Sequence, residues 1–161
     1  MKVFLAGFLL AFLVGLIGFT TVFQKETRQP IQFNHRAHKE IDCSTCHESV
    51  KTASFAGLPK IDLCMTCHDS PITKNPEEEK IRILAKQGKP AEWARLFKQP
   101  AHVFYSHRRH VEIAELQCKQ CHGDIGESTT PPRRVRNLTM SACIACHQQK
   151  GVKADCVDCH H

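Results

Sequence analysis

No cysteine in this chain stands outside a closely spaced pair, so none is left over for a separate disulfide. Aromatic residues are scarce as well, at 7% of 161 residues with one tryptophan and one tyrosine. That is thin material for the interior of a domain of this length, and something other than side chains has to fill it. Charge is missing from Val3 to Phe23, directly after Met1 and Lys2. A run of that length can cross a bilayer core, which needs about 20 apolar residues. No A-x-A pattern lies near Thr20 or Thr21, and Gly18-Phe19-Thr20 is the nearest imitation. A retained N-terminal transmembrane helix over residues 1–23 is therefore expected, not a cleaved signal.

What is present is a motif used five times. All ten cysteines sit in C-x-x-C-H: Cys43 and Cys46 before His47, Cys64 and Cys67 before His68, Cys118 and Cys121 before His122, Cys143 and Cys146 before His147, Cys156 and Cys159 before His160. Zinc knuckles usually take two cysteine pairs per metal, so five pairs leave one over, and zinc has no need of a His after every second Cys. Covalent haem needs both features: two sulfurs bond to the vinyl groups and the following His ligates iron. Five covalently bound haem c groups are expected, and they supply the missing interior. Without them no stable fold is expected.

The haems also change the meaning of the charge. The formal net charge of +6 would by itself suggest an acidic partner. Two propionates per haem bring the holoprotein to about +1 oxidised and about −4 reduced. Arg108, Arg109, Arg133, Arg134 and Arg136 can neutralise propionates, and a solvated surface role fits each of them as well. No nucleic-acid partner is implied. Haem attachment takes place on the outer side of the energy-transducing membrane, which puts the haem domain on the periplasmic side of the inner membrane. Gly7, Ala11, Gly15 and Gly18 form a small-residue stripe along the anchor, which fits either a helix-packing face or ordinary signal-like composition.

The haem-bearing part reads as a duplicated unit. Ile31-Gln32-Phe33-Asn34-His35-Arg36-Ala37-His38 is followed by two C-x-x-C-H motifs, and so is Val103-Phe104-Tyr105-Ser106-His107-Arg108-Arg109-His110. In both, an aromatic sits two before the first His and a β-branched residue four before it. The fifth motif is an addition to the second unit. The expected division is an anchor at 1–23, a dihaem unit at 24–72, a haem-free helical linker at 73–101 and a trihaem unit at 102–161. The fold class is mainly α with much irregular loop. In the linker, Asn75, Pro76 and Glu78 read as N-cap, first helical residue and capping partner, and Gly88 as the stop. A second short helix is expected from Pro90 to Lys98, carrying Trp93.

Six histidines remain after the proximal five: His35, His38, His102, His107, His110 and His161. Two strong axial ligands make an electron carrier, whereas an open position permits substrate chemistry. Each H-x-x-H pair places both side chains near one helical face, where a single segment can serve two neighbouring haems. By order, His35 and His107 serve the first haem of each unit, and His38 and His110 the second. For the fifth haem Met140 is the first choice, with His102 and His161 behind it.

These residues resemble class III multihaem cytochromes, with their aromatic-x-H-x-x-H segment before the first C-x-x-C-H. Over Trp93, Pro100, His102-Val-Phe-Tyr-Ser-His-x-x-His110, Cys118-x-x-Cys-His-Gly123 and Leu138-Thr-Met140 the chain is similar to the pentahaem membrane-anchored subunit of alternative complex III, a quinol:acceptor oxidoreductase. The chain departs from that family at Met140-Ser141-Ala142-Cys143, where Met-Gly-Trp-Cys is common. The resemblance implies an electron-transfer subunit with no catalytic residue of its own. Its implied partners are an iron–sulfur subunit, an integral quinol-oxidising membrane subunit and a downstream cytochrome or oxidase. The competing expectations are a stand-alone membrane-anchored quinol dehydrogenase feeding periplasmic reductases, and a reductase with an open haem.

Overall fold

A computed structural model of the chain describes residues 27–97, 99–133 and 138–160, with Gly7, Phe12, Leu13 and Gly15 as isolated positions. The anchor expected over Val3–Phe23 and its stripe otherwise lie outside the described residues, as do Arg134, Arg136 and His161. Among the described residues no helix is long and apolar enough to cross a membrane.

The described chain is helical and loop-rich, with no strand beyond one isolated bridge. Six α-helices follow in order: α1 Cys43–Cys46, α2 Ile61–His68, α3 Pro76–Lys86, α4 Cys118–His122, α5 Met140–Gln149 and α6 Cys156–Cys159. A 3-10 turn spans His35–His38, a π-type turn Arg108–Ile113 and a second 3-10 turn Ile125–Glu127. Five of the six α-helices carry an attachment motif, because one helical turn puts cysteines at i and i+3 on the same side. Polar caps start them: Asp42 Oδ1 accepts from Ser44 N at 2.8 Å, Thr139 Oγ1 from Ala142 N at 3.3 Å, and Asp158 Oδ2 from Asp155 N at 2.8 Å.

Only α3 lacks a motif, and its ends follow sequence. Asn75 accepts from Glu77 N at 3.0 Å, with Pro76 in the first position. Gly88, at φ +61°, turns the chain so that its own N–H and that of Lys89 reach Ala85 O and Leu84 O. Glu78 is not the capping partner of Asn75, however. Its carboxylate turns outward to the preceding loop, taking Ile72 N at 2.7 Å, Thr73 N at 2.8 Å and Thr73 Oγ1 at 2.6 Å. Nor is there a helix at Pro90–Lys98: residues 91–97 carry no regular structure. Gln29 takes both backbone groups of Ala94, each at 2.9 Å, and Trp93 Nε1 donates to Pro59 O at 2.9 Å. These long-range bonds take up the backbone groups a helix would need.

Ile31, Ile61 and Ile81 form the buried cluster, flanked by Met65, Leu84, Ala91 and Trp93. This cluster fastens α2, and with it Cys64, Cys67 and His68, to α3. The two duplicated units meet by exchange. Arg36 N donates to Ser128 O at 3.0 Å, while Arg108 N donates to Ala53 O at 3.1 Å and His107 N to Ser54 O at 3.3 Å.

Candidate haem sites

The two H-x-x-H segments superimpose in their internal geometry. Phe33 meets His35 edge-on at 4.8 Å and 89° and lies on His38 at 4.6 Å and 26°. Tyr105 meets His107 at 4.9 Å and 87° and lies on His110 at 4.7 Å and 24°. His38 Nδ1 lies 2.9 Å from Asn34 O, and His110 Nδ1 lies 2.8 Å from Ser106 O. The aromatic two before the first His is therefore a wedge that fixes both rings. Burial pushes the Tyr105 phenol up to about 12, so it stays neutral.

Histidines far apart in sequence face each other in pairs. His38 faces His68 with ring centres 6.0 Å apart, His107 faces His122 at 6.4 Å and 5°, and His110 faces His147 at 6.1 Å. His102 faces His160 at 5.4 Å and 22°. Two imidazoles on opposite sides of one iron, each with a metal–nitrogen bond of about 2.0 Å, have centres about 6 Å apart. His35 and His47 are close enough to interact: burial, then the neighbouring His47 and His38, push the His35 imidazole below its ordinary pKa.

The hydrogen bonds select the right tautomer. A carbonyl oxygen only accepts, so the ring nitrogen beside it carries the proton. Nδ1 donates to carbonyls in His38, His110, His47 (Gly57 O, 2.9 Å) and His107 (Ser54 O, 2.8 Å). Each leaves Nε2 with a free lone pair, the state a metal ligand needs. His35 Nδ1 lies 3.4 Å from the Ser128 hydroxyl. None of the ten cysteines is in a disulfide, which leaves all of them for thioether bonds. Among the described residues no group of three or more His, Cys, Asp or Glu could close around a bare metal ion. Donors arranged as opposed imidazole pairs with nearby thiols fit haem and do not fit zinc.

Contacts between sites link neighbouring motifs. Burial, then the neighbouring Cys118 by repulsion and by a thiol hydrogen bond, raises the pKa of Cys43. His122 feels both His107 and His47. Cys46 acts on Cys64, and Cys159 on Cys143. Tyr105 lies within range of both Cys121 and Cys143. The motifs thus adjoin in the order 64–68, 43–47, 118–122, 143–147, 156–160.

Met140, expected as the fifth distal ligand, is 66% exposed at the start of α5, and His102 lies opposite His160. The reason is a long-range pairing. Val103 and His160 form an antiparallel bridge and Phe104 N donates to Cys159 O at 2.9 Å, which carries His102 onto the fifth motif. Nothing local to His102 announces this. Arg108, Arg109 and Arg133 are exposed.

The geometry defines a c-type cytochrome with several haems, and similarity to known proteins agrees. The model of the Class III cytochrome C family matches residues 19–92, and that of cytochrome c7 and related cytochrome c matches residues 103–161. The multihaem cytochrome c subunit of menaquinone reductase from Nitratidesulfovibrio vulgaris is 30% identical over 166 residues, covering 89% of this chain and 79% of that one. The chain belongs to the class III and c7-like multihaem cytochromes c, electron-transfer proteins with covalently bound haem c.

Proposed function

We propose that this chain relays single electrons through five haems on the periplasmic face of the inner membrane, as a fixed, N-terminally anchored subunit of a quinone-linked oxidoreductase. The observation that supports it best is the connected series of opposed histidine pairs. In this reading the ligand pairs are His38/His68, His35/His47, His107/His122, His110/His147 and His102/His160, in that spatial order. Each haem, when bound, accepts and gives up one electron at iron. The paired histidines would hold each haem from both sides, leaving no open position for substrate, and the haems would supply the one-electron chemistry.

Two complexes suit such a relay. The motif order at Trp93–Gly123 supports an alternative-complex-III-like assembly, with an iron–sulfur subunit, a quinol-oxidising membrane subunit and a downstream cytochrome or oxidase. The curated relative is a subunit of menaquinone reductase, which favours electron delivery toward quinone. Native purification from mildly solubilised membranes decides. Intact mass should show five haems, and the subunits that co-elute identify the complex. A lone protein that oxidises quinol by itself would overturn the relay and restore the stand-alone quinol dehydrogenase. For the fifth site, His102→Ala should create one reduced haem that binds carbon monoxide, and Met140→Ala none; the reverse would reinstate Met140.

A further inference from the structure

Five axial histidines with their outer nitrogen described rest on neutral oxygens: His38, His47, His107 and His110 on carbonyls, His35 beside a hydroxyl. His68 differs. Its Nδ1 lies 3.4 Å from Glu78 Oε1, a carboxylate whose side chain is 5% exposed. The Nδ1 of His147, the matching residue of the second unit, is like that of His68 buried without a hydrogen-bond partner, but no carboxylate is paired with it among the described residues.

Glu78 is held in place from several sides. Ile72 N and Arg82 NH1 donate to Oε1, at 2.7 and 2.9 Å, and Thr73 N and Oγ1 donate to Oε2. The contact with His68 does not close as an aligned hydrogen bond, so Glu78 acts on the ring chiefly through its charge. Arg82 NH1 offsets part of that charge, while its Nε and NH2 bond to a second carboxylate, Glu79. Glu78, Glu79 and Arg82 together carry a net −1 against the outer edge of His68. The other ring nearby, His38, turns its Nδ1 to Asn34 O.

We propose that Glu78 is a positioning residue that lowers the reduction potential of the haem on Cys64, Cys67 and His68, making it more reducing than its duplicate on Cys143, Cys146 and His147. A negative charge behind an axial imidazole makes the ring a stronger donor and favours the ferric iron. On reduction the iron takes up one electron from a neighbouring ferrous haem, and Glu78 gains and loses nothing. The end of the series that packs on α3 is then its low-potential end. This rests on the ligand pairs proposed above.

The test is a redox titration of the full haem-loaded protein, with the haems resolved by low-temperature electron paramagnetic resonance. Glu78→Gln should move one of the five potentials upward and leave four in place. Arg82→Gln, which removes the cation from the same carboxylate oxygen, should move that same potential downward. Unmoved potentials, or shifts of the same sign in both variants, overturn the proposal. If Glu78→Gln yields no loaded protein, Arg82→Gln alone decides: a downward shift of one potential supports it, and no shift or an upward one overturns it. A wild-type mass with fewer than five haems would instead overturn the ligand reading beneath it.

Discussion

The two duplicated units share their histidine turns to within a tenth of an ångström and two degrees, yet their interiors are unlike. All four buried hydrophobic side chains, Ile31, Val50, Ile61 and Ile81, belong to the first unit and the helix packed on it. In described residues 99–133 and 138–160 only Pro131 is buried. Met140, Ile144, Val152 and Val157 stand 66%, 37%, 53% and 69% exposed there. One unit has a small protein core beside its haem sites. The other leaves its apolar side chains exposed, where porphyrin faces would cover them. Shared ligand geometry therefore does not imply a shared source of stability.

The largest effect should come from taking haem out of the second unit. Cys143→Ala with Cys146→Ala should lower the intact mass by one haem and open residues 138–160 to limited proteolysis, while α2 and α3 stay protected. Equal loss in both units would erase the contrast. Next, Ile81→Ala should cost about 2–5 kcal/mol, since Ile81 is 7% exposed within the isoleucine cluster. Denaturant unfolding followed at the first unit's haems should show it, with the second unit's haem spectra unchanged.

Acid should act on the same side. Hydrogen bonds from the Thr73 side chain and Ile72 N–H hold Glu78 well below its ordinary pKa of 4.5. Glu77 is raised by burial but pulled further down by Gln32 N–H and Lys80. Groups depressed on folding contribute stability above their unfolded pKa and lose it as pH falls through the folded one. The melting temperature of the first unit should thus drop below about pH 4.5, and Glu77→Gln should flatten part of that drop. The smallest effect expected is for Trp93→Phe, which removes the bond to Pro59 O and should cost about 1 kcal/mol in the same denaturant experiment.

The sequence disclosed what is local. C-x-x-C-H names a covalent site within five residues, and the H-x-x-H turns announce themselves through Phe33 and Tyr105. Helix α3 was legible because Asn75, Pro76 and Gly88 act on backbone groups a few residues away. What escaped depends on distant partners. A helix at Pro90–Lys98 is locally reasonable, but Gln29 takes the backbone of Ala94 from 65 residues away. The approach of His102 to the fifth motif runs through a bridge between Val103 and His160, 57 residues apart, which nothing near His102 in sequence announces. Glu78 looked like a cap because its spacing from Asn75 is right; the loop at Ile72–Thr73 outcompetes that role.

The crossed bonds between the units bear on how the molecule is made. His35 rests beside Ser128, and His107 on Ser54, each supplied by the loop after the other unit's first attachment motif. Neither central site is complete until both halves have been synthesised and brought together. A chain that fails to mature in one half withholds from the other the group that aims its histidine. The two central histidine turns are therefore aimed only where both halves of the chain have folded against each other.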